Sequence, residues 1–185
     1  MLQCHSLYVK SLFSELNLSH VYAEMQTCSL EIATDKCFKI MKSEWSCKKE
    51  IKPKLRTYNL FKHNMCLEKY LSHNLTPGER SVITKLRLGV LPLAIETGRY
   101  INTPLEERLC TLCDINEVET EYHFVFVCRR YEDLRDNLLN ILNLEKTYFI
   151  SMSLADKFDM LFDKPKLFSQ YLLKCLDVRR SIMYV

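Results

Sequence analysis

The chain has 185 residues, 48% of them hydrophobic and 26% charged, with a net charge of +3. That is the balance of a folded soluble protein of one domain, or of a large domain with an appendage, long enough to bury a sizeable core. Only three Gly and five Pro are present, and sandwiches and barrels need many tight turns, so the expectation is a mainly α protein.

The apolar spacing gives the elements in chain order. Leu7, Leu12, Phe13 and Leu16 form a short helical face over residues 6–16, ended by the turn and cap residues Asn17 and Ser19. Leu30, Ala33, Cys37, Ile40, Met41 and Trp45 recur in steps of three and four, one stripe of a helix on which Cys37 reads as a small buried hydrophobe. Pro53 breaks the chain. A second long helix is expected to carry Leu55, Tyr58, Phe61, Met65 and Tyr70 or Leu71, stopping near Asn74. Thr76-Pro77-Gly78-Glu79 is a helix start, with Thr76 as cap, Pro77 in the first turn and Glu79 closing a capping box. Val82, Ile83 and Leu86 continue inward until Gly89 and Pro92. Residues 91–104 read as irregular or short extended structure. Tyr131, Leu134, Leu138 and Ile141 mark another helix face, Ser153 opens a helix with Phe158, Leu161 and Phe162, and Pro165 starts the last. That last helix carries Phe168, Tyr171, Leu172, Cys175, Leu176 and Val178. The expected divisions are 1–52, 53–103, 104–130 and 131–185, folding as one compact unit.

Charge is unevenly spread. Residues 39–69 hold nine Lys or Arg against three Glu, a surplus of six, and residues 106–121 hold six acids against Arg108. The first stretch has the sign to face phosphate and the second would repel it; both also fit solvated helix faces. Residues 1–16 are interrupted by His5, Lys10 and Glu15, unlike a secretory signal, and no apolar run approaches the roughly 20 residues of a membrane span. The nine cysteines are odd in number. A reducing, intracellular setting, nuclear or cytoplasmic, fits that count, and there a clustered set of cysteines reads as metal-binding.

Four residues form such a set. Cys110, Cys113, His123 and Cys128 follow the spacing C-x2-C-x9-H-x4-C. Two cysteines separated by two residues can turn both sulfurs to one side of a tight loop. A helix over residues 118–128, with Cys128 at its frayed end, would bring the other two ligands back to that loop. Three sulfurs and one nitrogen make a closed tetrahedral site, which favours structural Zn2+, a d10 ion, over redox-active iron. Asp114 to Glu117 reads as a surface turn, and Glu119 or Glu121 as the acceptor for the second ring nitrogen of His123. Phosphate-binding Gly-rich loops, a nucleophile elbow and a paired-acid cluster for two-metal chemistry are all missing, so no enzyme and no small-molecule substrate are expected.

Several segments together resemble a known family. They are Lys54 to Tyr58, Phe61-Lys62, Lys85 to Gly89, Pro92 to Tyr100, the Glu119 to His123 approach to the finger, and the finger itself, with Trp45 ahead of them. Over roughly residues 7–139 the chain resembles the region C-terminal to the polymerase in non-LTR retrotransposon reverse transcriptases, where a helical stretch ends in a CCHC zinc motif. The polymerase core with its paired aspartates and the endonuclease domain are absent from this sequence. The resemblance therefore implies a fragment or derived relative without reverse transcriptase activity, and it implies RNA or DNA as partner. Lys48, Lys49, Lys52, Lys54, Arg56, Lys62, Arg129 and Arg130 are the candidate phosphate contacts, with Trp45, Tyr58 and Phe61 available for stacking. A zinc-stapled structural or protein-interaction module, and a mobile-element remnant without selected function, stand as the alternatives.

Overall fold

The computed structural model describes residues 10, 11, 14, 19, 23, 30–50, 52–62 and 64–183. The expected 6–16 helix face lies outside the described residues, apart from isolated positions. The protein is mainly α, and among the described residues the only extended pairing is an isolated antiparallel bridge, Leu109 to Val118. The chain divides into two units, Met1–Ile51 and Lys52–Val185.

In the first unit α1 spans Leu30–Glu50. Its surface carries i,i+4 ion pairs, Lys39 to Asp35 at 2.6 Å and Lys48 to Glu44 at 2.9 Å, the spacing at which opposite charges meet on a helix. Cys37, Ile40 and Trp45 are half-buried, so Cys37 is less enclosed than its place on the stripe predicts. Met41, expected on the same stripe, is 50% exposed.

The second unit begins with a single 3-10 turn, Pro53–Leu55, and α2, Arg56–Phe61. The single long helix expected here is absent: α2 stops at Phe61, and a separate 3-10 turn, Lys69–Ser72, follows after an irregular stretch. Lys62 explains the break. Its side chain is buried, and its ammonium donates to the Cys66 carbonyl and pairs with Glu68 at 2.7 Å. A buried charge needs such partners, and the chain curls around Lys62 to supply them. Glu68 also pairs with Arg87 at 2.8 Å. The Arg87 guanidinium lies 4.9 Å from the Phe162 ring centre.

α3 spans Pro77–Arg87. The capping box forms as the sequence predicts: Glu79 N–H donates to Thr76 Oγ1 at 3.3 Å, and Thr76 N–H donates to the Glu79 carboxylate at 2.8 Å. The helix closes with two bonds of a Schellman motif, Val90 N–H to Lys85 O and Gly89 N–H to Leu86 O. Gly89 takes a φ of +63°, and a Cβ there would sit 2.4 Å from the Lys54 carbonyl oxygen. Gly89→Ala therefore combines left-handed strain with a backbone clash, and a loss of about 2–4 kcal/mol is expected in urea melts. A loss below about 0.5 kcal/mol would show that the turn relaxes freely.

Residues 91–104 are not simply irregular, because α4 spans Ala94–Tyr100. Its start is capped from far along the chain: Ala94 N–H donates to the Glu119 carboxylate at 2.7 Å and Ile95 N–H to the Glu119 carbonyl at 3.3 Å. Its last turn is closed by the Thr103 N–H, which donates to the Gly98 carbonyl at 2.9 Å, and Arg108 spans the helix by donating to the Ile95 and Thr103 carbonyls. After residues 105–131 come α5, Glu132–Ile141, then α6, Lys146–Ser151, which the apolar spacing does not predict. α7 spans Leu154–Phe162 with Ser153 as its cap, and α8 spans Pro165–Met183. α8 is the central helix, packing on α3, α5 and α7. Phe168, Leu172 and Cys175 on α8 have no exposed surface, and Ile83 and Leu86 of α3 are equally enclosed. Ile141, expected on an inner face, is 58% exposed. No helix among the described residues is long and apolar enough to cross a membrane.

Candidate metal centre

Cys110 and Cys113 lie on a small hairpin built from the Leu109 to Val118 bridge. Cys110 N–H donates to the Glu117 carbonyl at 2.9 Å, and Glu119 N–H to the Arg108 carbonyl at 2.9 Å. Asn116 makes the turn with a φ of +60°, a conformation Asn tolerates better than most residues. The predicted helix over residues 118–128 is shorter and differently wound. Val118 belongs to the bridge, Thr120 Oγ1 accepts the His123 N–H at 3.1 Å as a cap, and His123–Val127 has π-helical geometry. The Cys128 N–H reaches back five residues to the His123 carbonyl at 2.8 Å. In an α-helix, side chains five apart point about 140° away from each other. The wider π turn reduces that angle, so His123 and Cys128 face the same hairpin.

The four predicted ligands converge. One donor atom from each of Cys110, Cys113, His123 and Cys128 lies within 4.8 Å of all the others. Cys110 Sγ is 3.9 Å from Cys128 Sγ, and Cys113 Sγ is 3.3 Å from His123 Nε2. A tetrahedron with metal–sulfur bonds of about 2.3 Å has sulfur–sulfur edges of about 3.8 Å, so the sulfur pair already stands at ligand spacing. Cys110, His123 and Cys128 are buried and Cys113 is half-buried, which leaves little room for an open coordination position. The residues present fit a divalent metal ion.

The electrostatics point the same way. Burial opposes charging the His123 ring, yet the hydrogen bonds the charged ring donates to Cys110, Glu117 and Cys113 raise its pKa to about 9. The Cys128 hydrogen bond and burial push the Cys110 thiol up to about 12, while the same bond to Cys110 lowers Cys128. Without metal, the cluster thus favours a positive charge in its midst, which a metal cation would supply in place of protons.

The surroundings correct one expectation. His123 Nδ1 faces Glu117 Oε2 at 3.3 Å, so Glu117 orients the ring and leaves Nε2 toward the sulfurs. Glu119 and Glu121 have other work. Glu119 is 1% exposed and is gripped by both terminal nitrogens of Arg179, with its Oε1 3.8 Å from Cys110 Sγ. Glu121 accepts two bonds from Arg56, at 2.8 and 2.5 Å. Arg135 donates to the Cys128 carbonyl, and the Tyr171 hydroxyl donates to the Val125 carbonyl at 2.7 Å. The segment that carries the four donors is therefore clasped by α5 and α8. Sequence reasoning missed Glu117, Arg135 and Arg179; only Glu117 was near enough in sequence to be found.

The candidate phosphate contacts do not form one exposed set. Lys54 pairs with Glu96 at 2.5 Å, Arg56 with Glu121, and the buried Lys62 with Glu68. Lys48 pairs with Glu44 in the first unit, and the Lys49 side chain lies outside the described residues. Lys52 and Arg130 are exposed, and Arg129 makes an exposed pair with Asp114 at 3.1 Å. Trp45 and Tyr58 are half-buried. No protein-family model, curated protein or solved structure matches the chain.

Proposed function

We propose that this protein is a non-catalytic module stapled by one structural Zn2+ held by Cys110, Cys113, His123 and Cys128. The observation that carries this reading is the convergence of four donors within 4.8 Å, from two short segments of otherwise weak intrinsic structure. Zinc is the ion of choice for a closed site of three thiolates and one imidazole, and it has no redox chemistry to express there. The metal fastens the hairpin and the π turn to each other, and α5 and α8 fasten both to the helical core. Elemental analysis of untagged protein should give about one zinc per chain, lost in a Cys113→Ser/His123→Ala variant. Zinc-free protein with an unchanged fold and unchanged melting would overturn the proposal.

A second reading, nucleic-acid binding by a derivative of the retrotransposon C-terminal region, draws on Lys52, Arg129 and Arg130 of the second unit, which stand on the surface. The ion pairs of Lys54, Arg56 and Lys62 weigh against a wide phosphate footprint. With three phosphate contacts, log Kd against log salt would have a slope of roughly 2 to 3. Single-stranded RNA and duplex DNA titrations between low and physiological salt test it. Binding that ignores salt would exclude this reading.

A further inference from the structure

We propose that the groove between α3 and α8 is a binding site for a medium-chain carboxylate, its tail on the apolar floor and its head at Lys85 and Arg180. The cavity has a volume of about 400 Å3, within the range of sites that enclose a small ligand. Val82 of α3, Leu176 and Met183 of α8, and Leu91 from the loop after α3 supply its apolar wall. Met183 remains 47% exposed, so apolar surface is left open to solvent.

The rim has one sign. Lys85, Arg179 and Arg180 line the groove, and no Asp or Glu does. Arg179 is committed to Glu119, but the other two cations are available. Lys85 is exposed with no ion pair among the described residues. Arg180 holds only a solvent-exposed pair with Asp177, an interaction of little worth that a bound anion can displace. The cavity beside α2 lacks this asymmetry: its cations Lys62, Lys69 and Arg87 face Glu68, Asp159 and Asp163. Apolar walls capped by Lys85 and the weakly paired Arg180 suit a molecule with a hydrocarbon tail and one negative charge, held and not turned over. Gly78 lines the groove, and a Cβ there meets no atom within 4 Å, so a larger side chain can be placed at that position without a clash at its root.

Calorimetric titration of the metal-loaded full chain with decanoate tests this. One-to-one binding with Kd on the order of 100 μM is expected, the strength usual for a ligand of that size. Gly78→Trp fills the groove from an open position in the first turn of α3 and should weaken binding at least about tenfold. Lys85→Gln, a surface change that leaves the core alone, should weaken decanoate severalfold and leave decanol unaffected. Decanol itself should bind at least about tenfold more weakly than decanoate. Equal binding of decanol and decanoate would overturn the charged rim. Unchanged binding in Gly78→Trp, or no binding of decanoate to the folded protein, would overturn the site. Circular dichroism and zinc content, measured on the same samples, keep these outcomes separate from any failure of the zinc centre.

Discussion

Arg179→Met is expected to destabilise the protein by about 3–5 kcal/mol, the usual consequence of removing one partner from a buried ion pair. Glu119 would be left 1% exposed with its charge uncompensated. It cannot move to water, because its carboxylate also holds the Ala94 N–H at 2.7 Å and its backbone carries the bonds to Arg108 and Ile95. Its neighbour at 3.8 Å is the Cys110 sulfur, an anion whenever a metal is bound. Two negative groups would then share one dry site, so the variant should also bind zinc less tightly. A double-mutant cycle separates the pair from its surroundings. Glu119→Gln keeps an acceptor for Ala94 and removes the charge, so Arg179→Met/Glu119→Gln should be more stable than Arg179→Met alone. Strictly additive losses in urea denaturation would show that the two residues act independently.

What the sequence made legible was local. The Thr76 to Glu79 capping box is closed within four residues, and both its hydrogen bonds formed as expected. The four candidate ligands lie within nineteen consecutive positions, from Cys110 to Cys128, and the structure brings them together as their spacing predicts. The features that escaped depend on distant partners. α4 starts where it does because Glu119, twenty-five residues onward, caps it. Glu119 and Glu121 looked like neighbours for His123, but Arg179, sixty residues away, and Arg56, sixty-five away, hold them instead. The basic stretch misled for the same reason. A run of cations reads as an exposed face until the acids that neutralise Lys54, Arg56 and Lys62 are seen around them. The broken helix at Lys62 belongs here too, since periodicity carries no record of a lysine that must be buried.

Removing the metal should have the largest effect of all, and its pH dependence should identify the ligands. Chelated protein is expected to lose about 4 kcal/mol or more at neutral pH, the mass-action contribution of an ion present a thousandfold above its Kd. The loss should concentrate in the hairpin and π turn, where hydrogen exchange would rise first. It should then spread to α8 through the bonds of Arg179 to Glu119 and of Tyr171 to Val125. Acid competes with the metal, because neutral imidazole and thiolate are the ligating forms. The advantage of loaded over chelated protein should therefore shrink as pH falls below about 9, where His123 of the chelated protein takes up its proton. The chelated protein should slope the other way. Its His123 is raised from 6.5 to about 9 and its Cys110 from 9.0 to about 12. The stabilisation from a raised pKa is full below the unfolded value and lost as pH climbs through the folded one. Metal-free protein should thus weaken between pH 6.5 and about 9, the same range over which rising pH tightens the loaded protein's hold on its ion. Thermal melts of both forms across that range supply the comparison. Parallel curves would mean that the four residues do not share a metal, and opposed curves would tie the fold's pH response to this single site.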